Sequence, residues 1–93
     1  MESERLVVLG DRDLEFRREF LTRTAAAIAT SDGQIELDCS QIDALDGPTL
    51  GMLVAIARSA QRRGQLVVLD GSSARVRSEI DEAGVGGLFT WSV

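Results

Sequence analysis

Three short apolar runs, separated by segments of helical periodicity, restrict the fold of this chain more than any other feature. The apolar runs lie at residues 5–9, 34–38 and 65–69, the helical segments at 14–30, 50–63 and 74–83, and a last short strand or coil at 88–91. Each apolar run is short enough to be a buried strand rather than a helix. Apolar strands that alternate with helices over short loops are typical of βαβ units and a parallel sheet. The sequence therefore predicts one small α/β domain covering residues 1–93, with a mostly parallel four-stranded sheet and alternating helices.

The first and third helical segments each predict a face that packs on this sheet. In the first segment the predicted stripe consists of Leu14, Leu21, Ala25 and Ile28, widened by Phe16 and Phe20. In the third, Val76 and Ile80 are expected to face the core. Asp13 and Ser73 precede these two segments and are predicted to be their N-caps.

The stretch from Gln34 to Arg63 is the candidate functional region. A strand ends at Asp38, an acidic loop with Asp43 and Asp46 follows, and a Gly-Pro-Thr turn leads into the second helical segment. Open α/β sheets bind ligands beyond the carboxyl ends of their strands, next to helix N-termini. Asp46 is a plausible N-cap, and Pro48 suits a first helical turn because its missing N–H leaves no bond unmade there.

The central helix carries apolar residues on two sides. At 100° per residue, Leu50, Leu53, Val54 and Ala57 fall on one side, which is expected to pack on the sheet, and Met52, Ala55, Ile56 and Ser59 fall on the other. Two interpretations of the second side remain open. A neighbouring helix could cover Met52 and Ile56, or the side could be a docking face for another protein.

Composition excludes several classes of function. The net charge of −5 argues against nucleic acid, because neutralising phosphates requires a surplus of basic residues. The chain has no histidine, and its ten basic residues are all arginine. Histidine-dependent nucleophiles, histidine metal sites and the P-loop lysine are therefore absent. Asp38, Asp43 and Asp46 could form a magnesium cluster, but without a lysine to complete such a site we expect capping and solvated loop carboxylates. No enzyme activity and no cofactor are predicted.

The single cysteine and the lack of long apolar runs indicate a cytoplasmic protein. Cys39 has no internal disulfide partner and, at the end of a predicted strand, is expected to be a small semi-buried apolar residue rather than a reactive thiol. No apolar run approaches the ~20 residues that span a bilayer, and the N-terminus does not resemble a signal peptide. Direct membrane insertion is not expected.

Several short motifs follow one another in a fixed order. The central one comprises Ile35-Glu36-Leu37-Asp38, Ile42, Ala44-Leu45-Asp46 and Leu50-Gly51, with VVLGDRDL at 7–14 before it and RGQLVV at 63–68, SARVR at 73–77 and AGVGGLF at 83–89 after it. In order and spacing these motifs resemble the STAS domains of the anti-sigma factor antagonist family, over nearly the whole chain. The resemblance implies a compact STAS-like domain that docks onto partner proteins.

The resemblance also implies a regulatory switch, from which this chain departs. In that family the unphosphorylated domain binds an anti-sigma serine kinase and frees the sigma factor, and phosphorylation of the second hydroxyl residue of a D-S-S-G motif ends the interaction. Here Asp46 matches the Asp, Gly47 replaces the first Ser, Pro48 occupies the phosphoacceptor position and Thr49 replaces the Gly. Proline has no hydroxyl, so either Thr49 is phosphorylated instead or the domain is not regulated in this way. We favour the second.

The predicted partner-binding surface combines the resemblance with the helix pattern. It consists of Asp11, Arg12, Asp46, Gly47, Pro48, Thr49, Met52, Ala55, Ile56 and Ser59. The expected partner is an anti-sigma factor kinase or another regulatory protein, and the expected consequence is regulation of transcription. The alternative is a STAS regulatory subunit of a membrane transporter complex, bound to a lipid-transport ATPase.

Overall fold

The computed structural model describes residues 5–8, 14–30 and 33–92. The elements are β1 (Arg5–Val7), α1 (Leu14–Thr30), β2 (Gln34–Asp38), α2 (Gly47–Gln61), β3 (Leu66–Asp70), α3 (Ala74–Glu82), a 3-10 turn (Gly86–Leu88) and β4 (Thr90–Ser92). Strands and helices alternate as the sequence predicts. Asp13, the predicted cap of α1, lies outside the described residues.

The sheet confirms the predicted fold class. Its strands are ordered β1-β2-β3-β4, and every pairing is parallel. The register sets Leu6, Leu37, Leu69 and Trp91 side by side across the four strands. Parallel strands paired in chain order through right-handed crossovers carry their helices on one face of the sheet.

One apolar core lies between that face and the helices. The strands contribute Leu6, Ile35, Leu37, Val67 and Leu69, Val8 follows directly after β1, and the helices contribute Phe20, Ala27, Ile28, Met52, Leu53, Ile56, Ala57, Ala60, Val76 and Ile80. The prediction that Val76 and Ile80 face the core is confirmed, since neither has exposed surface. Val68 is buried but belongs to the opposite side of β3 and not to this cluster.

Helix α1 buries a different stripe from the predicted one. Phe20 and Ile28 are buried as expected, but Leu21 is 38% exposed and Ala25 is exposed. Thr24 is buried in their place. The Thr24 hydroxyl donates to the carbonyl of Phe20 at 2.7 Å, so its polar atom is paired within the helix and does not oppose burial. The predicted stripe left out Thr24 because only apolar residues were counted in the periodicity.

Candidate functional site

Asp46 fixes the start of the central helix. Its carboxylate accepts a hydrogen bond from the Thr49 N–H at 2.7 Å, and its backbone is extended, as in an N-cap. The predicted cap is therefore confirmed. Helix α2 begins at Gly47 rather than at the predicted Leu50, so Pro48 lies within the first helical turn. A proline is tolerated there because the first N–H groups of a helix have no intrahelical acceptor.

Helix α3 holds the loop that leads into this cap. The Leu45 N–H donates to the Glu79 carboxylate at 3.0 Å, across 34 residues of sequence. Both residues are half-buried, whereas Asp46, Gly47 and Pro48 are exposed. The first turn of α2 is thus tied to the fold by one side-chain cap and one long-range hydrogen bond, while its surface stays open to solvent.

The carboxyl ends of β2 and β3 form two closely packed turns. Asp38 accepts hydrogen bonds from the Ser40 N–H at 2.9 Å and the Ser40 hydroxyl at 2.6 Å. The Cys39 N–H donates to the Asp70 carbonyl at 2.8 Å. Among the residues that the structure describes, no group of three or more His, Cys, Asp or Glu side chains could hold a metal ion.

Cys39 is a core residue at this edge of the sheet. The side chain has no exposed surface, and burial raises the pKa of its thiol from 9.0 to about 11. The Ser72 hydroxyl acts in the opposite direction, and the nearby carboxylates of Asp38 and Asp70 raise the pKa further. A thiol that is both inaccessible and protonated at neutral pH is a poor nucleophile.

The prediction that Met52 and Ile56 lie on an outward side of α2 is wrong. They are only 5% and 3% exposed. Helix α2 packs against α1 as well as against β3, so it buries two adjoining sides. Their burial agrees with the alternative expectation, a neighbouring helix packed on this side of α2. Ala55 is exposed and Ser59 is half-buried at the border of this contact.

The solvent-facing side of α2 is a stripe of mostly small residues. It consists of Gly47, Pro48, Gly51, Ala55 and Arg58, all of them exposed, and is called here the exposed face of α2. These positions follow the three-to-four-residue spacing of one helix side. An added Cβ at Gly47 or Gly51 would meet nothing within 4 Å.

Thr49, which the sequence assigned to the partner surface, is not part of the exposed face of α2. Thr49 is 3% exposed, so its side chain is almost fully covered by the fold. Asp11 and Arg12, predicted to extend the partner surface, lie outside the described residues.

Sequence reasoning missed a groove between α1 and α2. Its walls include Leu21 and Ala25 of α1, and Arg62 and Arg63 lie just beyond the end of α2. The periodicity of a single helix carries no signal for this groove, because it forms only where two helices pack together.

The comparisons with known proteins agree with this fold. A small parallel α/β domain that presents one helix side and the loop before it is suited to docking. The chain belongs to the STAS domain family, since the family model described as "Mlab, STAS domain" matches residues 1–90. The role that this family and fold support is regulatory protein interaction.

Two solved structures have the same fold. One is tm1081 from Thermotoga maritima, proposed to be an anti-sigma factor antagonist, with 17% identity, a TM-score of 0.72 and coverage of 100% of this chain and 76% of that one. The other is the anti-sigma factor antagonist SpoIIAA in its unphosphorylated form, with 17% identity, a TM-score of 0.72 and coverage of 99% and 83%. No curated protein sequence matches the chain. None of the helices within the described residues has the length and apolarity to cross a membrane.

Proposed function

We propose that this chain is a non-catalytic cytoplasmic interaction module that binds an anti-sigma serine kinase and so regulates transcription. The observation that carries the proposal is the exposed face of α2 together with Asp46. Small side chains there let a partner backbone approach closely. The Asp46 cap and the hydrogen bond from Leu45 to Glu79 fix the geometry before binding, which reduces the entropy lost on association.

The proposed module is not switched by phosphorylation in the first turn of α2. Pro48 has no hydroxyl, and the Thr49 side chain is buried. With 3% of the residue exposed, a kinase has little access to it. Mass spectrometry of protein purified from its host is expected to find Thr49 unmodified, and a phosphorylated Thr49 would contradict this part of the proposal.

The absence of catalysis is proposed from side-chain chemistry. The chain has no histidine or lysine to act as a general base. Its one thiol is buried with a raised pKa. Turnover of a phosphoester or acyl substrate by the purified protein would contradict this part of the proposal.

A glycine-to-arginine pair of variants tests the docking surface. Met52→Arg is unsuitable because it would put a charge into the core. Gly51→Arg instead adds a long side chain to the exposed face of α2, in open space and with better helix propensity than glycine. Gly87→Arg is the matched control, since Gly87 is also exposed with nothing within 4 Å of an added Cβ.

Calorimetric titration with an anti-sigma serine kinase from the same genome gives the readout. We expect Gly51→Arg to weaken binding at least about tenfold, as large substitutions at the centre of an interface do. Gly87→Arg should bind like the unmodified chain. Equal affinities for the two variants would refute the surface, and no binding of the unmodified chain to any such kinase would refute the function.

A second candidate function is a permanent regulatory subunit on the ATPase of a membrane transporter. Pro48 and the buried Thr49 favour it, because a constitutive subunit needs no accessible phosphoacceptor in the docking turn. The same two variants, titrated against the transporter ATPase encoded nearest to this chain, distinguish the candidates. The partner whose affinity falls with Gly51→Arg and not with Gly87→Arg is the physiological one.

A further inference from the structure

The groove between α1 and α2 has a volume of about 470 Å³ and is not filled by any described side chain. It is lined by Leu21, Thr24, Ala25 and Ile28 from one helix and by Ala55, Ile56, Ser59, Arg62 and Arg63 from the other helix and the residues just after it. The walls are mostly apolar, and Leu21 is one of three large apolar residues in the described part of the chain with substantial exposure. The hydroxyl of Thr24 donates a hydrogen bond within its own helix, so an occupant of the groove does not need to supply an acceptor for it.

Small residues keep the groove open. Ala25 on one wall and Ala55 on the other are both exposed, and neither is long enough to close the space between the helices. Grooves of this kind between two helices accept the apolar side of a third helix, whose anchors recur at i, i+3, i+4 and i+7. The geometry is thus suited to a rod-shaped apolar surface.

The charge at one end of the groove is strongly positive. Arg62 and Arg63 line that end, and the Arg62 guanidinium donates to the Ser59 hydroxyl at 3.3 Å, which turns it back along the groove. Residues 47–63 contain three arginines and no acidic residue, although the whole chain has a net charge of −5. The groove is therefore a local basic region in an acidic protein and would attract negative charge.

We propose that this groove binds an acidic amphipathic helix of the regulatory protein partner, an inference that rests on the proposed function and names the partner's chemistry. The apolar side of that helix packs between Leu21, Ala25 and Ala55, and its carboxylates face Arg62 and Arg63. Paired with carboxylates, arginine forms bidentate hydrogen bonds that fix orientation as well as adding affinity.

A second copy of this chain does not fit the groove. Two copies joined groove to groove by a twofold axis would offer no carboxylate to these arginines, because none of the residues that line the groove is acidic. The chain's own acidic helix, α3, is not available either, because its apolar residues Val76 and Ile80 have no exposed surface. The occupant is therefore a different polypeptide.

A synthetic peptide tests the inference directly. The probe is a fluorescein-labelled amphipathic peptide with leucine and alanine on one side and glutamate on the other, and its counterpart carries lysine in place of every glutamate. Fluorescence anisotropy with the full chain is expected to show saturable binding of the acidic peptide, weakened by added salt, and at least about tenfold weaker binding of the basic one, because charge complementarity selects between them.

Adjacent alanines of α1 provide the matched variants. Ala25 and Ala26 are both exposed, but only Ala25 lines the groove. We expect Ala25→Glu to weaken binding of the acidic peptide at least about tenfold through steric blocking and like charge, and Ala26→Glu to leave it within about twofold. Arg62→Glu should also weaken binding, whereas Arg75→Glu, on α3, should not. Equal effects of Ala25→Glu and Ala26→Glu would overturn the proposal.

Other occupants give distinct results that also overturn it. Preference for the basic peptide would reverse the charge argument. Saturable binding of oleate that Ala25→Glu abolishes, without binding of either peptide, would identify a small-amphiphile site. Self-association that Ala25→Glu abolishes would identify a homodimer interface.

Failure of this inference is distinguishable from failure of the proposed function. If the kinase binds and is sensitive to Gly51→Arg but not to Ala25→Glu, the groove proposal is wrong and the function stands. If the acidic peptide binds the groove but no anti-sigma kinase binds the chain, the function is wrong and the groove's charge selectivity stands.

Discussion

The buried Cys39 thiol is expected to make the stability of this protein fall at alkaline pH. Its thiol pKa rises from 9.0 to about 11 in the folded protein, chiefly because burial disfavours the thiolate. The chain contains no histidine and no tyrosine, and all ten basic residues are arginine. Cysteine is the one residue type in this sequence whose ordinary side-chain pKa lies between about 8 and 10. A change in stability between pH 9 and pH 11 is therefore assigned to the Cys39 thiol.

The direction of this pH dependence follows from how many protons the folded and unfolded states bind. In this window the folded protein keeps the thiol proton that the unfolded chain has released, so the free energy of unfolding falls as pH rises. The contribution is fully present below pH 9 and is lost as pH passes about 11. At 1.36 kcal/mol per pKa unit the loss amounts to about 3 kcal/mol, a large share of the 5–15 kcal/mol that stabilises a typical domain.

Urea denaturation followed by circular dichroism, in the presence of a reductant, measures this loss. We expect the free energy of unfolding of the unmodified chain to fall by about 2 kcal/mol between pH 9 and pH 11, because at each of these pH values one of the two states is only half titrated, and by about 3 kcal/mol over the whole transition. Cys39→Ala should be less stable at neutral pH, because a buried side chain is shortened, but flat across the window. The ultraviolet absorbance of the thiolate gives an independent titration of the folded protein. An equal decline in Cys39→Ala, or a folded thiol that titrates near 9.0, would refute the reasoning.

Two further substitutions test the turns around the candidate site. Asp46→Ala removes the cap of α2 and should cost about 1 kcal/mol in urea denaturation, whereas Asp43→Ala, in the same exposed loop, should cost much less. Gly71→Ala should cost more than Gly84→Ala: both glycines have positive φ, at 72° and 77°, which penalises alanine by about 1–2 kcal/mol. Only at Gly71 would the new Cβ lie 3.0 Å from the Ser40 Cβ. Equal losses of stability at the two glycines would contradict this prediction, because they would show that the contact between residue 71 and Ser40 adds nothing to the cost.

Local chemistry made much of this fold predictable from the sequence. Hydrophobic period and run length are properties of neighbouring residues, and they gave the order of strands and helices and the parallel sheet. Capping is also local, since a carboxylate or hydroxyl reaches an N–H three residues ahead. The caps at Asp46 and Ser73 were therefore correctly predicted. The motif order was enough to indicate the STAS family.

The tertiary structure alone decided which surfaces remain open. By periodicity, Met52 and Ala55 belong to the same side of α2, yet the first is buried in the core and the second is exposed. Tertiary packing also produced the groove beside Ala25 and the burial of Cys39. Each depends on how elements distant in sequence pack together, and a single helix or strand does not encode the position of its neighbours. The sequence determined which elements form, and packing between them determined what a partner can reach.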